Sequence, residues 1–185
     1  VNYLGKGANL YDLGYELHVS VSVVARYLST TWLWDRVWVQ GGAYGAFCFF
    51  DSFTGVFSCV SYRDPNLLES LEVYDSCADF LRAVDLSEQE LRKVIIGTIG
   101  DMDAYQLPDA KGYTSMVRYL AGITEEYRQS IRDQVMETRA VDFVGLAKFL
   151  EHFADQGRVV VMGAPEALEG LGTERRNSFE MTKVL

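Results

Sequence analysis

Residues 36–66 hold the feature that most constrains the fold: Gly41, Gly42 and Gly45 crowd around Tyr44, and two β-rich runs follow at once. Glycine is used where a backbone must take φ > 0 or let another chain come close, so this cluster marks a sharp bend. The runs 46–51 and 56–63 are joined by the short Ser-Phe-Thr-Gly loop, a pattern that predicts a β-hairpin. A bend that presents one tyrosine at the mouth of a hairpin has two readings. It is either a functional side chain held out by glycines or a tight turn with a packed aromatic, and pattern alone leaves both open.

The rest of the chain reads as scaffold for this stretch. Residues 1–4 form a short β-type run, followed by a connector through Gly5, Gly7 and Gly14 that lacks the Lys-Ser/Thr ending of a phosphate loop. Val24, Tyr27, Leu28, Thr31 and Trp34 recur at helical spacing, predicting a helix from Ser22 into Arg36. Asp64-Pro65-Asn66 ends the hairpin, and Leu67, Leu71, Tyr74, Ala78 and Leu81 predict one long helix after it.

Ser87 and Glu90 form a capping box ahead of Leu91, Val94, Ile95, Ile99 and Met102, and the segment 106–112 reads as a break. Thr124 caps a charged helix over 125–138. Phe143, Leu146, Ala147, Leu150 and Phe153 predict another helix, ending at a left-handed Gly157. Residues 158–162 read as a buried strand, and 173–185 as a polar, then weakly β-like, tail. The sum is one domain over 1–185 of α+β class: a mostly antiparallel sheet with helices packed on one face.

A length of 185 residues with 49% apolar residues suits one well-cored domain. The net charge of -9 argues against a nucleic-acid partner, which needs a basic face, and favours cationic peptides. No run approaches the ~18 apolar residues of a membrane span. Cys48, Cys59 and Cys77 sit in apolar contexts at spacings that match no zinc pattern, so they read as buried, reduced thiols. His18 and His152 lack a second ligand at metal spacing. Glu151 and Asp155 beside His152 read as a solvated helix face, so no metal site is expected in this chain. The sequence starts at Val1, already patterned and without a leader signature, and is expected to be a piece of a longer protein.

Five segments then occur in a telling order: Gly-Gly-Ala-Tyr-Gly at 41–45, Ser-Tyr-Arg-Asp-Pro-Asn at 61–66, Ile-Ile-Gly-Thr-Ile-Gly-Asp at 95–101, Ala-Tyr-Gln-Leu-Pro-Asp-Ala-Lys-Gly-Tyr at 104–113 and Gly-Ile-Thr-Glu-Glu at 122–126. They resemble the C-terminal, fourth domain of the presequence proteases, pitrilysin-type zinc metallopeptidases of chloroplasts and mitochondria, in their plant and algal form. The resemblance implies a mitochondrial-processing-peptidase-like metallohydrolase fold. It further implies a large enzyme of four related domains, closing as two halves over a peptide chamber. This chain would be a substrate-chamber domain of a zinc metalloendopeptidase that degrades transit peptides and other short unfolded peptides, in the chloroplast stroma and/or mitochondrial matrix. Its partner would be the N-terminal half of the same protease. That half carries zinc on an H-x-x-E-H motif absent here, so no cofactor is expected in this chain, which by itself is expected to be inactive.

The same resemblance implies that Tyr44 is catalytic, helping to hold the developing oxyanion, with Gly42, Ala43, Tyr44 and Trp38 lying against substrate. In the family an arginine stands six residues before the tyrosine; here that position is Trp38, and Arg36 lies two residues earlier. A preorganised donor at an oxyanion is worth about 3 kcal/mol, and an indole offers a single N–H. The alternative is a non-catalytic degenerate homologue, a peptide-binding or structural interaction module, and Trp38 also reads as a core aromatic. The site expectation is a partly exposed Tyr44 on a concave surface. Trp38 should lie within its reach and Arg36 should turn to an acidic neighbour such as Asp35 or Asp64.

Overall fold

Four runs of alternating burial pair into one antiparallel sheet. They are β1 (Asn2–Asn9), β2 (Gly45–Asp51), β3 (Val56–Asp64) and β4 (Arg158–Met162), in the order β2-β3-β1-β4. The computed structural model describes residues 1–164 and 179–182, so the expected β-like tail lies largely outside the described residues. β1 runs past its expected end. Asn2, Leu4 and Lys6 are buried on the inner face while Gly5 and Gly7 point the other way, so these glycines belong to the strand rather than to a connector. β4 corrects a second expectation. Among the described residues it pairs with β1 alone, at the end of the sheet order, and Val160 and Met162 are 70% and 54% exposed, so the apolar run is not buried on both faces.

The predicted helix into Arg36 is α1 (Ser20–Thr30), which buries Val21, Val24 and Leu28, followed by a π-helix over Trp34–Gln40. The wider π turn sends Leu33 and Val37 to the core and leaves Trp34 exposed, off the stripe to which simple helical spacing assigned it. The single helix expected after the hairpin is two, α2 (Leu68–Asp75) and α3 (Cys77–Ala83). The Ser76 hydroxyl between them donates to the Glu72 carbonyl at 2.7 Å, a side-chain bond that competes with a straight helical path.

α4 (Glu88–Met102) starts on the predicted Ser87–Glu90 capping box. The segment read as a break opens α5 (Pro108–Leu120), because proline in a first helical turn gives up an N–H that has no helical partner. α6 (Glu125–Met136) is capped by Thr124, and α7 (Ala140–Gln156) carries Phe143, Leu146, Leu150 and Phe153 inward. Gly157 has φ -61, not the left-handed value expected. A Cβ there would collide with the Phe153 carbonyl and with the Lys6 stem, so close approach is what requires glycine.

The core lies between the inner sheet face and the helices, built on Leu4, Phe57, Cys59, Tyr74, Leu81, Phe143 and Phe153. Lys6 is buried among them, donating to Asp75 at 2.5 Å and to the Ala154 carbonyl at 2.6 Å in the last turn of α7. This cation satisfies a free carbonyl at the negative end of that helix and ties it to β1. Among the described residues no helix is long and apolar enough to cross a membrane.

Candidate functional site

Register fixes what the other sheet face carries. Gly45, Tyr62, Tyr3 and Met162 form one row across it; Phe47, Val60, Gly5 and Val160 form the next; Phe49, Ser58, Gly7 and Arg158 form the third. An antiparallel sheet with one face in water alternates polar side chains outward, yet Tyr3, Phe47, Phe49, Val160 and Met162 are 45–70% exposed here. Gly5 and Gly7 floor a trough of about 570 Å³ walled by Val56, Val60, Arg158 and Val160. A bare apolar face with a concave centre marks a surface that receives something.

Tyr44 stands beside the first row. Gly42, at φ 75, turns the chain out of the π-helix, and Gly45 lies under the Tyr62 ring, where a Cβ would collide. Between them Ala43 is buried and donates its N–H to the Val37 carbonyl at 3.1 Å, while the Tyr44 N–H donates to the Tyr62 carbonyl at 3.1 Å. The Tyr44 backbone is therefore fixed on both sides while its ring is 62% exposed. The Tyr62 ring meets it edge-on at 5.7 Å, and the Arg63 guanidinium lies over its face at 5.0 Å.

The second segment, 61–66, clamps the first. Asp64 is fully buried and accepts from the Ser61 hydroxyl at 2.6 Å and the Asn66 N–H at 2.9 Å. Asn66 then donates through Nδ2 to the Gly41 carbonyl at 2.5 Å. Sequence reading placed Tyr44 here but gave no role to Tyr62, Arg63, Asp64 or Asn66. The Asp-Pro-Asn string carried a signal, since an Asp two residues before an N–H is a turn-forming group.

Trp38 is 40% exposed, which removes the core reading, and its ring packs edge-on against Trp34. The ring contacts here are Trp38 with Trp34, four residues apart on the π-helix, and Tyr44 with Tyr62. Arg36 turns to Asp35 at 3.7 Å and lies over the Trp32 ring at 5.1 Å.

Among the described residues one group of three metal-type ligands is in reach of itself: Cys48, Cys59 and Cys77, all buried, with sulfurs within 4.8 Å of one another. Cys48 and Cys59 face each other across β2 and β3 with Sγ atoms 3.1 Å apart. The Cys48 N–H and carbonyl bond instead to the Ser29 hydroxyl, at 2.7 and 3.1 Å, which makes this a non-hydrogen-bonded, close pair. Burial pushes the Cys48 and Cys59 thiols well up. A core trio of thiols does not fit a His/Glu zinc set, and His18 is engaged by the Ser20 hydroxyl at 2.6 Å. What the Tyr44 arrangement offers chemically is donors, a phenol O–H and guanidinium N–H groups, beside an exposed apolar sheet face.

Comparison with known proteins gives these features a context. The family described as "PreP C-terminal domain" matches residues 1–166. The chain is 51% identical over its 185 residues to "Presequence protease 1, chloroplastic/mitochondrial" of Arabidopsis thaliana, covering 100% of the chain and 17% of that protein. It is 30% identical over 135 residues, 73% of the chain and 13% of the relative, to "Presequence protease, mitochondrial" of Xenopus tropicalis. The chain thus spans under a fifth of these curated relatives. A solved chain from Bordetella pertussis Tohama I, described as a zinc protease, superposes with a TM-score of 0.65 at 14% identity, over 88% of this chain and 93% of that one. That likeness bears on the fold alone.

Proposed function

Because the chain belongs to the PreP C-terminal domain family, a peptidase family, we propose that its open sheet face walls the substrate chamber of a presequence-protease-like zinc metalloendopeptidase. In this reading the whole protein degrades transit peptides and other short unfolded peptides in the chloroplast stroma and/or mitochondrial matrix. The N-terminal half of the same protein closes over the trough and supplies the zinc. Tyr44 donates its hydroxyl to the scissile carbonyl oxygen as that atom gains charge, where a fixed donor acts most strongly. The Gly42–Ala43 backbone and Trp38 flank the peptide. A net charge of -9 favours cationic peptides over acidic ones.

The observation that carries this reading is the exposed phenol of Tyr44, pinned by its backbone at the edge of a bare apolar face. The test is Tyr44→Phe in the full-length protein with a short unfolded peptide. A fall in kcat/KM of about tenfold or more, mostly in kcat, is expected for a donor that acts in the transition state. Unchanged turnover would remove Tyr44 from the chemistry.

Trp38 favours the second reading, a non-catalytic peptide-binding module. Restoring the cation with Trp38→Arg separates the two, and because Trp38 is 40% exposed the new charge reaches water and stability should change little. A rise in turnover of about tenfold is expected under the enzymatic reading. Peptide binding without turnover in both proteins would establish the module.

A further inference from the structure

Among the described residues Arg63 is the only non-glycine residue with positive φ, at 50°. It sits where the β1–β3 register slips: Tyr3 faces Tyr62 and Asn2 faces Asp64, leaving Arg63 without a partner on β1. This is a β-bulge, and its effect is to re-aim a side chain. On a regular strand the residue after outward-facing Tyr62 would point into the core. The bulge gives that inward place to Asp64, buried under Ser61 and Asn66, and brings Arg63 out over the Tyr44 ring. A left-handed arginine is sterically unfavourable and persists only where its surroundings hold it. Here Asn2 holds it, donating through Nδ2 to the Asp64 carbonyl at 3.1 Å, together with the buried Asp64 carboxylate.

The electrostatics point the same way. In a chain with 26 acidic and 17 basic residues, Arg26, Arg36, Arg82, Arg92, Arg128 and Arg132 each pair with a carboxylate. Arg63 is exposed and, among the described residues, its side chain, like those of Arg118 and Arg158, shows neither a hydrogen bond nor an ion pair; unlike theirs, it lies over an aromatic ring, that of Tyr44. The Tyr44 ring takes up no N–H in a hydrogen bond to oxygen, so the guanidinium fork is left to an incoming acceptor. That fork is rigid and matches a planar oxygen acceptor.

We propose that Arg63 is a substrate-binding residue, forming with Tyr44 a clamp for peptide oxygens. Its guanidinium donates to a backbone carbonyl of the bound peptide next to the one that Tyr44 addresses. The assignment rests on the reading of Tyr44 as peptide-facing and adds to it a second donor and a reason for the strained bulge.

The test uses the full-length protein and a labelled, unfolded peptide of zero net charge, with affinity read by fluorescence anisotropy and unfolding followed thermally. Arg63→Gly removes the clamp and suits the left-handed backbone. It should keep or raise the unfolding midpoint while weakening peptide affinity by about tenfold or more, the scale of one charge-assisted hydrogen bond. Arg63→Lys keeps the charge and the strain but lacks the fork, so it should leave the midpoint in place and recover only part of the affinity. Wild-type affinity in Arg63→Gly overturns the clamp. So does a midpoint that falls in Arg63→Gly while Arg63→Lys binds like wild type, since Arg63 would then be a structural pin. Tyr44→Phe, run in parallel, tells the failures apart. Turnover lost in Tyr44→Phe with peptide affinity intact in Arg63→Gly sinks this inference alone. The reverse pattern keeps Arg63 as a peptide-binding residue and removes the catalytic role of Tyr44.

Discussion

Gly42 is the hinge of the site, since its φ of 75 lets the chain leave the π-helix and deliver Tyr44 outward. An alanine there must adopt a left-handed backbone, so Gly42→Ala should lower stability by about 1 kcal/mol, measured by urea unfolding. The thiols give a second prediction. Burial raises the Cys48 and Cys59 pKa values above those of the unfolded chain, so both groups favour the fold while neutral. That stabilisation is fully present below the unfolded thiol range and is lost as pH rises from there through the raised, folded-state values. The urea midpoint should therefore decline from about pH 8.5 upward, and less so in a Cys48→Ala, Cys59→Ala protein. At this scale Tyr44 was legible because glycines flank it. Arg63 was not, because no sequence pattern reports a backbone angle imposed by a slipped register.

α4, with its cap and stripe, α6, with its Thr124 cap, and α7, with its apolar stripe, could be read directly from the chain. α5 could not, because a proline that would end one helix opens the next; β4 was legible as a strand but not in its exposure, because an apolar run does not say which of its faces is covered. The caps themselves predict acid sensitivity. Hydrogen bonds from Ser87 hold Glu90 below the usual carboxylate range, and the Phe53 N–H does the same for Asp51 in the hairpin loop. Carboxylates depressed in this way stabilise the fold above their unfolded pKa, and the contribution is lost as pH falls through the folded one. Urea midpoints measured from pH 6 to pH 3 should fall mainly below about pH 4, with Glu90→Gln flattening part of the slope. Lys6 tests the link between elements. Lys6→Ala leaves the Ala154 carbonyl and Asp75 without their cation, and a loss of about 2 kcal/mol is expected in chemical unfolding.

At the scale of the molecule, the antiparallel sheet, the one-sided helical layer and the family were all visible in ordered segments of sequence. The bare face was not, because alternation in β2 and β3 is apolar on both sides and does not say which side is covered. α5 adds a second uncovered apolar surface: none of its residues is buried, and Tyr113, Met116, Tyr119 and Leu120 are 51–84% exposed. Two such surfaces should make the isolated chain self-associate with rising concentration, which sedimentation velocity would register. The glycine-floored trough and the exposed aromatics on the same sheet face also have a calorimetric consequence. Apolar side chains already wetted in the folded chain add nothing to the heat capacity gained on unfolding. The isolated chain should therefore fall below the usual 12–15 cal/mol/K per residue, taken as an order of magnitude. The shortfall should return as a negative heat-capacity change when the trough is filled, so the temperature dependence of a binding enthalpy would report how much of this face a peptide covers.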